Sequence, residues 1–557
     1  MKVSRRDLLI GSAGVTAGIF FTPVPWKLLG DVSIWTQNWR WIPQPAHGPV
    51  ETKQSVCTLC AAGCGVRVRL AGGWPVGISG VGTHPLTKGA LCPLGFGAHQ
   101  LDWHPRRLRE VRHRGRKATW DEAQAAFEKA CAEGPVALVD ARPGRAASSV
   151  LEAFAAKHNG SYRVVLSEES RALTPYAAWS GVPVSALGYD LENARTIVSF
   201  GAPLLDGWGT PGRFTHVWSD RAAGATDPQL RLIQIEPSLS HTAARAWRWI
   251  PVAEGSESVL ASAVARVLLE ERMVKPQASL MPQVTIEAAA AQTGLSTDAI
   301  RELARTIVQN QPVLAIAPDA NPSIAALNVL LGAVAAPGGI VQKSKKQLSQ
   351  VPLGSGPNSY RAMLLDSTVP WEFTPQTNAE VFRFAAWDGG GNKADWLLPS
   401  PGFLEELTDV PSAPTSGVET YTLAVNLLTQ ADGTKSPAQF LAKIDSTLPD
   451  MEKAIHMRCE ELFKAKLGTV FAEQAVPVVN FESAQKLEEQ LRKGGVWVGE
   501  SPRPNGFKCT LKQWPEVTRP APLGDWAETW APPVFPPLAE KLYQESDLRE
   551  APARRQA

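Results

Sequence analysis

Four cysteines near the N-terminus constrain the fold of this chain more than any other feature of its sequence. Cys57, Cys60, Cys64 and Cys92 have the spacing C-x2-C-x3-C-x27-C, whereas the remaining three of the seven cysteines are scattered singly. An odd total with one clustered subset argues against a disulfide framework and for a metal site. Three thiolates close in sequence can hold one side of a [4Fe-4S] cubane while a fourth, from a distant turn, closes the other. A tetrahedral zinc ion is the alternative, but zinc ribbons favour two C-x2-C pairs.

The residues between the cysteines predict a small β-rich module around this centre. Gly63 and Gly65 allow the backbone to fold tightly, so that N–H groups can point at the sulfurs. The runs 66–70 and 74–78 are strand-like, the first alternating apolar and basic residues, and Ala71-Gly72-Gly73 supplies a turn between them. This pattern is typical of a β-hairpin.

The N-terminus has the features of an export signal. Arg5 and Arg6 precede an uncharged apolar run from Leu8 to Phe21, which is typical of a twin-arginine signal and shorter than the roughly 20 residues of a membrane-spanning helix. That route exports proteins already folded around their cofactors. No Ala-x-Ala follows Phe21, which leaves open an uncleaved signal that anchors the protein. We therefore expect the protein on the periplasmic face of the inner membrane.

Length and charge restrict the classes of function. A chain of 557 residues is long enough for several domains. Its 56 Lys and Arg nearly balance 54 Asp and Glu, so the net charge of +2 provides no drive toward nucleic acid. We expect no nucleic acid among its partners.

Residues 135 to 270 alternate short apolar runs with longer amphipathic ones. The strand-like runs are 136–139, 163–166, 196–200 and 232–235. Such alternation indicates a parallel α/β sheet, in which ligands bind at the carboxyl ends of the strands.

A longer pattern surrounds and follows the fourth cysteine. It comprises Gly82, His84-Pro85, Lys88-Gly89, Gly95, His104-Pro105-Arg106-Arg107-Leu108 and Thr119-Trp120-Asp121-Glu122-Ala123. In order, spacing and residue type it resembles the opening of the molybdopterin oxidoreductase family, which includes formate dehydrogenases, periplasmic nitrate reductases and polysulfide reductases. The chain resembles one branch in particular, the molybdopterin-like subunits of periplasm-facing menaquinone reductase complexes and of alternative complex III.

The resemblance implies a second cofactor beside the cluster, molybdenum bis(molybdopterin guanine dinucleotide). The matching positions for its contacts are Asn193, Gly201, Glu236, Pro237, Ser238 and Gly255. Two departures weaken this site, because Ser238 replaces the family's usual Arg and Val252 or Ala253 replaces another. Both changes remove cations that would pair with pyrophosphate or guanine groups.

Other departures concern electron transfer and the metal itself. Leu94 occupies the position of the family's Lys between cluster and pterin. No cysteine lies between Cys131 and Cys459 to ligate molybdenum, and none of Ser167, Ser170 and Ser180 can be assigned to that role. We therefore assign no catalytic residue.

The sequence and the resemblance together give a domain plan of the α/β class. The expected segments are a twin-arginine signal over 1–30, a Trp- and Pro-rich arm over 31–52, a [4Fe-4S] domain over 53–115, Rossmann-like parallel α/β domains over 116–345, a second part of the α/β region over 346–480, and a Pro- and Trp-rich tail over 481–557. The family's C-terminal β-barrel, about 100–150 residues long, is expected to be absent because too little chain follows residue 480.

These expectations favour an iron-sulfur subunit of a periplasm-facing, membrane-associated electron-transfer complex, of the quinone reductase or quinol oxidase type, without molybdenum catalysis. The alternative is an active molybdopterin guanine dinucleotide-dependent oxidoreductase, and a third hypothesis is a zinc-stabilised scaffold. The resemblance implies as partners a multi-cluster iron-sulfur protein, a multihaem cytochrome c and an integral quinone-binding membrane subunit.

Overall fold

The protein is described by a computed structural model that covers residues 4–21, 48–223, 228–275, 280–343, 360–366, 379–388, 394–413, 416–500 and 506–517. The expected arm, up to residue 47, and the tail beyond residue 517 lie outside these ranges. Helix α1, Arg5–Phe21, lies within the segment expected to be the signal. Within the described ranges, no helix combines the length and the apolar content that crossing a bilayer requires.

A three-stranded antiparallel sheet forms the first module. Its strands are β1 (Val50–Val56), β2 (Gly65–Ala71) and β3 (Trp74–Gly80), in the order β1-β2-β3. The register of β2 and β3 confirms the predicted hairpin. The last three residues of the expected arm lie in β1. Burial alternates along β2, since Val66 and Val68 are buried while Arg67 and Arg69 are exposed, as expected for a sheet with one solvated face.

A short helix and a 3-10 turn pack against β3. Helix α2 covers Pro93–Gly97 and the 3-10 helix covers Ala98–Trp103. Their buried residues Ala98 and Leu101 join Val66, Val68 and Ile78 in one small core. The module therefore has its own hydrophobic interior, which includes Cys57 and Cys64.

The largest sheet has seven strands in the order β5-β4-β16-β15-β14-β6-β7. The strands are β4 (Arg112–His113), β5 (Arg116–Lys117), β6 (Val136–Asp140), β7 (Ser161–Val164), β14 (Ala362–Asp366), β15 (Glu380–Ala385) and β16 (Trp396–Pro399). Strands β16, β15, β14, β6 and β7 are parallel, and β4 and β5 extend one edge antiparallel. Segments more than two hundred residues apart therefore share one sheet.

A second parallel sheet lies between these segments in the sequence. Its order is β11-β10-β9-β12, with β9 at Thr196–Phe200, β10 at Arg231–Ile235, β11 at Arg248–Ile250 and β12 at Val313–Ile316. Strands β8 (Leu187–Tyr189) and β13 (Ile340–Gln342) pair antiparallel beside it. Strands β9, β10 and β12 are largely apolar runs, because helices cover both faces of the sheet.

The last sheet is antiparallel, in the order β17-β18-β21-β19-β20. Its strands are β17 (Thr408–Pro411), β18 (Thr420–Ala424), β19 (Thr469–Phe471), β20 (Ala475–Pro477) and β21 (Val496–Val498). In the described part of the chain, none of the sheets closes into a barrel.

The remaining helices fill the layers around the sheets. They are α3 (Trp120–Glu133), α4 (Ala146–Lys157), α5 (Glu168–Arg171), α6 (Thr174–Ser180), α7 (Pro211–Arg221), α8 (His241–Arg245), α9 (Glu257–Glu270), α10 (Ile286–Thr293), α11 (Thr297–Gln309), α12 (Pro322–Leu330), α13 (Pro437–Ile444), α14 (Met451–Ala465) and α15 (Ala484–Arg492). Val184–Ala186 and Val478–Asn480 are 3-10 helices.

The structure groups the chain differently from the sequence-based plan. The runs predicted within 135–270 belong to two sheets rather than one, with β6 and β7 in the first and β9 and β10 in the second. The planned boundary at residue 345 separates β6 from its neighbour β14. Residues 481–500, planned as part of a tail, supply α15 and the central strand β21. Local hydrophobic patterns locate strands but carry no information on which distant strands pair.

Candidate metal centre

Three of the four cysteines lie in the loop that joins β1 to β2. The loop begins and ends at cysteines, and the N–H of Cys57 donates to the carbonyl of Cys64 at 2.8 Å. Backbone N–H groups of Leu59 and Ala62 donate to the thiols of Cys57 and Cys60, respectively. The loop therefore supplies three of the four expected ligands together with hydrogen-bond donors that stabilise negative charge on sulfur.

The fourth cysteine reaches the loop through a close backbone approach. Gly89, with φ +90°, lies against the end of β3, and a Cβ on Gly80 would stand 2.1 Å from the carbonyl oxygen of Gly89. Cys92 follows three residues later as the N-cap residue of α2. Gly80 and Gly89 thus allow the chain to turn back, which brings Cys92 close to the other three cysteines.

A helix from the domain of the second parallel sheet closes one side of the site. Helix α7 begins at Pro211, and the N–H of the next residue, Gly212, donates to the Cys64 thiol. A Cβ at Gly212 would lie 2.7 Å from Sγ of Cys64. Gly212 was not singled out from the sequence. A Pro-Gly pair indicates the start of a helix, but nothing in the local sequence shows that this helix lies next to Cys64.

Without iron, the surroundings of the cysteines favour the neutral thiols. Burial and repulsion between neighbouring sulfurs raise the pKa of Cys57 and Cys64 well above its ordinary value. Burial and the proximity of Cys92 raise the pKa of Cys60 to about 12. Bound iron would have to offset this cost, since thiolates are the ligands.

Two charged side chains of opposite sign lie beside Cys60. The buried carboxyl of Glu169, in α5, opposes negative charge on the Cys60 sulfur, whereas the guanidinium of Arg142 favours it. Neither residue was singled out in the sequence, because each reaches the site from a different domain element.

The C-terminal third of the chain encloses the cysteine loop. Gly63 has φ +61°, and a Cβ there would lie 2.8 Å from Cγ1 of Val410 in β17. Arg107 and Glu405 form a fully buried ion pair, with Nη2 to Oε2 at 2.6 Å. The sequence motif at 104–108 therefore contacts a residue 298 positions further along the chain.

The residues present fit a [4Fe-4S] cluster. The four cysteines are all free, their thiols interact electrostatically, and backbone N–H donors face three of them. In the described ranges, no three His, Cys, Asp or Glu side chains converge on a position for one metal ion. A cubane requires no such convergence, because each cysteine ligates a different iron.

The second parallel sheet brings together most of the residues expected to contact a dinucleotide. Gly201, the Glu236–Ser238 turn and Gly255 follow β9, β10 and β11 and lie at the same carboxyl edge. Asn193 precedes β9 and therefore lies at the opposite edge, where its Nδ2 donates to both carboxylate oxygens of Asp190 at 2.9 Å. Asn193 is thus not brought together with the others.

The Glu236 carboxylate is already hydrogen-bonded within the protein. Gln234 Nε2 donates to Oε2 at 2.8 Å, and the Ser240 N–H and hydroxyl donate to Oε1. Pro237 and Ser238 are exposed and Gly201 is partly exposed, with φ +83° and open space at its Cβ position. A hydrogen-bonded carboxyl group therefore occupies the position after β10.

A second carboxylate occupies the corresponding position in the seven-stranded sheet. Helix α4 follows β6, and a phosphate in such a βα unit would bind at the helix N-terminus. Here both oxygens of buried Asp409 accept the N–H of Ala146, at 2.8 and 2.9 Å. The flanking Arg145 is paired with Asp140 and Asp366.

Asp409 therefore takes the N–H group at the start of helix α4 that a phosphate would need. Glu236 differs, because an acidic side chain can accept hydrogen bonds from a nucleotide. The four cysteines thus lie together, whereas the phosphate position at helix α4 is taken by a side chain of the protein itself.

Comparison with known proteins places the site in a family. Residues 50–101, which contain all four cysteines, match the model of the molybdopterin oxidoreductase Fe4S4 domain. These residues therefore carry the [4Fe-4S] domain of that family, and the chain as a whole is similar to molybdopterin-dependent and molybdopterin-like proteins. The assignment of each cysteine as a ligand remains a prediction.

Several known proteins match longer parts of the chain. The molybdopterin-binding-like subunit of menaquinone reductase from Nitratidesulfovibrio vulgaris is 28% identical over 502 residues, covering 80% of this chain and 72% of that protein. A sulfite dehydrogenase polypeptide from Allochromatium vinosum is 30% identical over 243 residues, covering 40% of this chain and 24% of that protein. The resemblance to a menaquinone reductase subunit, expected from the sequence, is confirmed.

A solved structure supports the fold. Acetylene hydratase from Pelobacter acetylenicus superposes with a TM-score of 0.58, covering 81% of this chain and 74% of that one, at 12% sequence identity. At this identity the likeness concerns the fold alone.

Proposed function

We propose that this chain is the iron-sulfur subunit of a membrane-associated electron-transfer complex of the quinone reductase or quinol oxidase type, and that it does not catalyse a reaction at molybdenum. The cluster on Cys57, Cys60, Cys64 and Cys92 would accept and release one electron at a time. The chain's own residues bind the cluster, exclude water from it and adjust its charge environment.

The contrast between the two cofactor positions carries this proposal. The cysteine loop is enclosed and supplied with N–H donors, whereas the carboxylate of Asp409 takes the helix N–H group that a phosphate would need. The match to a menaquinone reductase subunit over 80% of the chain supports a role in quinone-linked electron transfer.

The proposed partners follow from the same relationship. They are a multi-cluster iron-sulfur protein, a multihaem cytochrome c and an integral quinone-binding membrane subunit. We further propose that the complex faces the periplasm after twin-arginine export, with helix α1 as the export signal. Substitution of Arg5 and Arg6 by Lys should leave the protein in the cytoplasm, which fractionation would detect.

The metal content of the native complex tests the proposal. The complex is purified through an affinity tag on this chain, and iron and molybdenum per copy of the chain are measured by mass spectrometry. Because partners also carry iron, the same measurement is made on a Cys60→Ala/Cys92→Ala variant. We expect a loss of about four irons per chain and no molybdenum in either sample. Stoichiometric molybdenum would favour the active oxidoreductase instead.

A further inference from the structure

Arg142 connects the seven-stranded sheet to the cysteine loop. It lies in the turn after β6, and its Nη1 donates to the carbonyl oxygen of Thr58 at 2.7 Å. Thr58 is the residue between Cys57 and Leu59, whose N–H faces the Cys57 sulfur. The guanidinium therefore contacts the segment that spaces the first two ligands.

The turn that carries Arg142 is held firmly. Its own N–H donates to Oδ1 of Asp140 at 2.8 Å, and its carbonyl accepts from Nε of Arg145 at 2.8 Å. Asp140 is fully buried at the end of β6 and also accepts from the hydroxyls of Ser148 and Tyr162. The side chain of Arg142 is thus supported by a rigid backbone and approaches the loop from a fixed direction.

Arg142 would affect a bound cluster through its charge as well as through its hydrogen bond. Its guanidinium lies close enough to the Cys60 sulfur to favour the negatively charged form, against the opposing carboxyl of Glu169. Reduction adds one negative charge to an iron-sulfur cluster, and a cation near it stabilises the reduced state. Exposed cations of the β1–β3 sheet, such as Arg69, would affect the cluster much less, because water and salt screen their charge.

We propose that Arg142 is a positioning residue for the cluster, which holds the Cys57–Cys60 segment in place and raises the reduction potential of the cluster through its charge. This inference rests on the proposed function, since it requires the cluster to be present. It assigns a role in electron transfer to a residue outside the cysteine motif and outside the cluster module.

The test is a redox titration of the full chain, followed by EPR of the reduced cluster, for wild type, Arg142→Gln, Arg142→Lys and Arg69→Gln. We expect Arg142→Gln to lower the midpoint potential, while Arg142→Lys, which keeps the charge, stays near wild type. Arg69→Gln removes a solvent-exposed charge from strand β2, next to the cysteine loop. This change should therefore shift the midpoint potential much less.

Iron per chain is measured in each variant, to distinguish an effect on the potential from a loss of the cluster. If Arg142→Gln loses iron, the proposal is still supported when Arg142→Lys keeps both its full iron content and the wild-type midpoint potential. Two results would overturn the proposal. One is a midpoint potential that falls as far in Arg142→Lys as in Arg142→Gln. The other is a wild-type midpoint potential in an Arg142→Gln protein that retains all its iron. A wild-type chain with no cluster signal overturns the proposed function too, so the two failures are distinct.

Discussion

At Gly212, a side chain of any size would occupy the space that the Cys64 sulfur needs. We expect Gly212→Ala to move helix α7 away from the cysteine loop and to remove a hydrogen bond from the sulfur. Iron per purified chain should fall by more than half, measured by colorimetric iron assay.

Gly77→Ala is the matched control for this substitution. Gly77 lies in β3 of the same module, and a Cβ there meets nothing within 4 Å. Iron content in Gly77→Ala should equal that of wild type. Equal iron in both variants would show that Gly212 has no part in holding Cys64.

The buried ion pair of Arg107 and Glu405 stabilises the contact between the cluster module and the seven-stranded sheet. Arg107 also donates to the carbonyls of Ala386 and Ser400, at 2.8 and 2.9 Å. We expect Arg107→Met to lower the free energy of unfolding by about 3–5 kcal/mol, because the Glu405 carboxyl stays buried after it loses its guanidinium partner. Denaturant unfolding measures this change.

An exposed pair offers a comparison for the buried one. Arg112 and Asp388 also form an ion pair, but their side chains are 44% and 37% exposed. Arg112→Met should cost less than about 1 kcal/mol, since solvent screens the pair. Equal costs for the two Arg→Met variants would contradict the account of Arg107.

At the scale of elements, helix α4 depends on a carboxylate from another sheet. Replacing Asp409 by Gly leaves the N–H of Ala146 without its acceptor, and the loss of such a cap costs about 1–2 kcal/mol. Formate should restore part of the thermal stability of Asp409→Gly, because it can refill the vacated anion position.

Asp409→Asn tests whether the anion position itself is responsible for the rescue. The amide keeps the size of the carboxylate and leaves no room for formate. Formate should therefore raise the melting temperature of Asp409→Gly but not of Asp409→Asn or wild type. An equal rise in all three proteins would mean that formate acts on the fold in general.

The strand pair β8 and β13 places a lysine in the interior. Burial lowers the pKa of Lys343 to about 7, with the nearby Glu419 partly opposing the shift. In the unfolded chain the pKa is about 10.4, so between pH 7 and 10 the unfolded state binds a proton that the folded state does not. The contribution of Lys343 therefore makes the protein more stable as pH rises, by up to about 1.4 kcal/mol per unit.

Removing Lys343 should flatten this dependence. We expect Lys343→Met, combined with Glu419→Gln so that no buried carboxylate is left alone, to show a smaller rise in unfolding free energy between pH 7 and 9. Urea unfolding at several pH values provides the measurement. Lys129→Met, at an exposed position, should retain the wild-type slope.

At the scale of the whole molecule, the sequence predicts what is local and misses what is distant. The cysteine spacing predicts the metal site because three of the expected ligands fall within eight residues, and β9, β10 and β12 are recognisable as buried apolar runs. The pairing of β6 with β14 has no local signature. Gly212, Arg142 and Asp409 were missed for the same reason, since each acts on an element far away in the sequence.

The seven-stranded sheet is made of two chain segments, and the second parallel sheet lies between them in the sequence. The ribosome therefore synthesises the two halves of this sheet at different times. Strands β14 to β16, and with them Glu405 and Val410, leave the ribosome only after the whole second sheet has been synthesised. Until then the cysteine loop lacks its outer wall. We therefore expect the cysteine loop to stay accessible to iron until the C-terminal third of the chain has been synthesised and has packed against it.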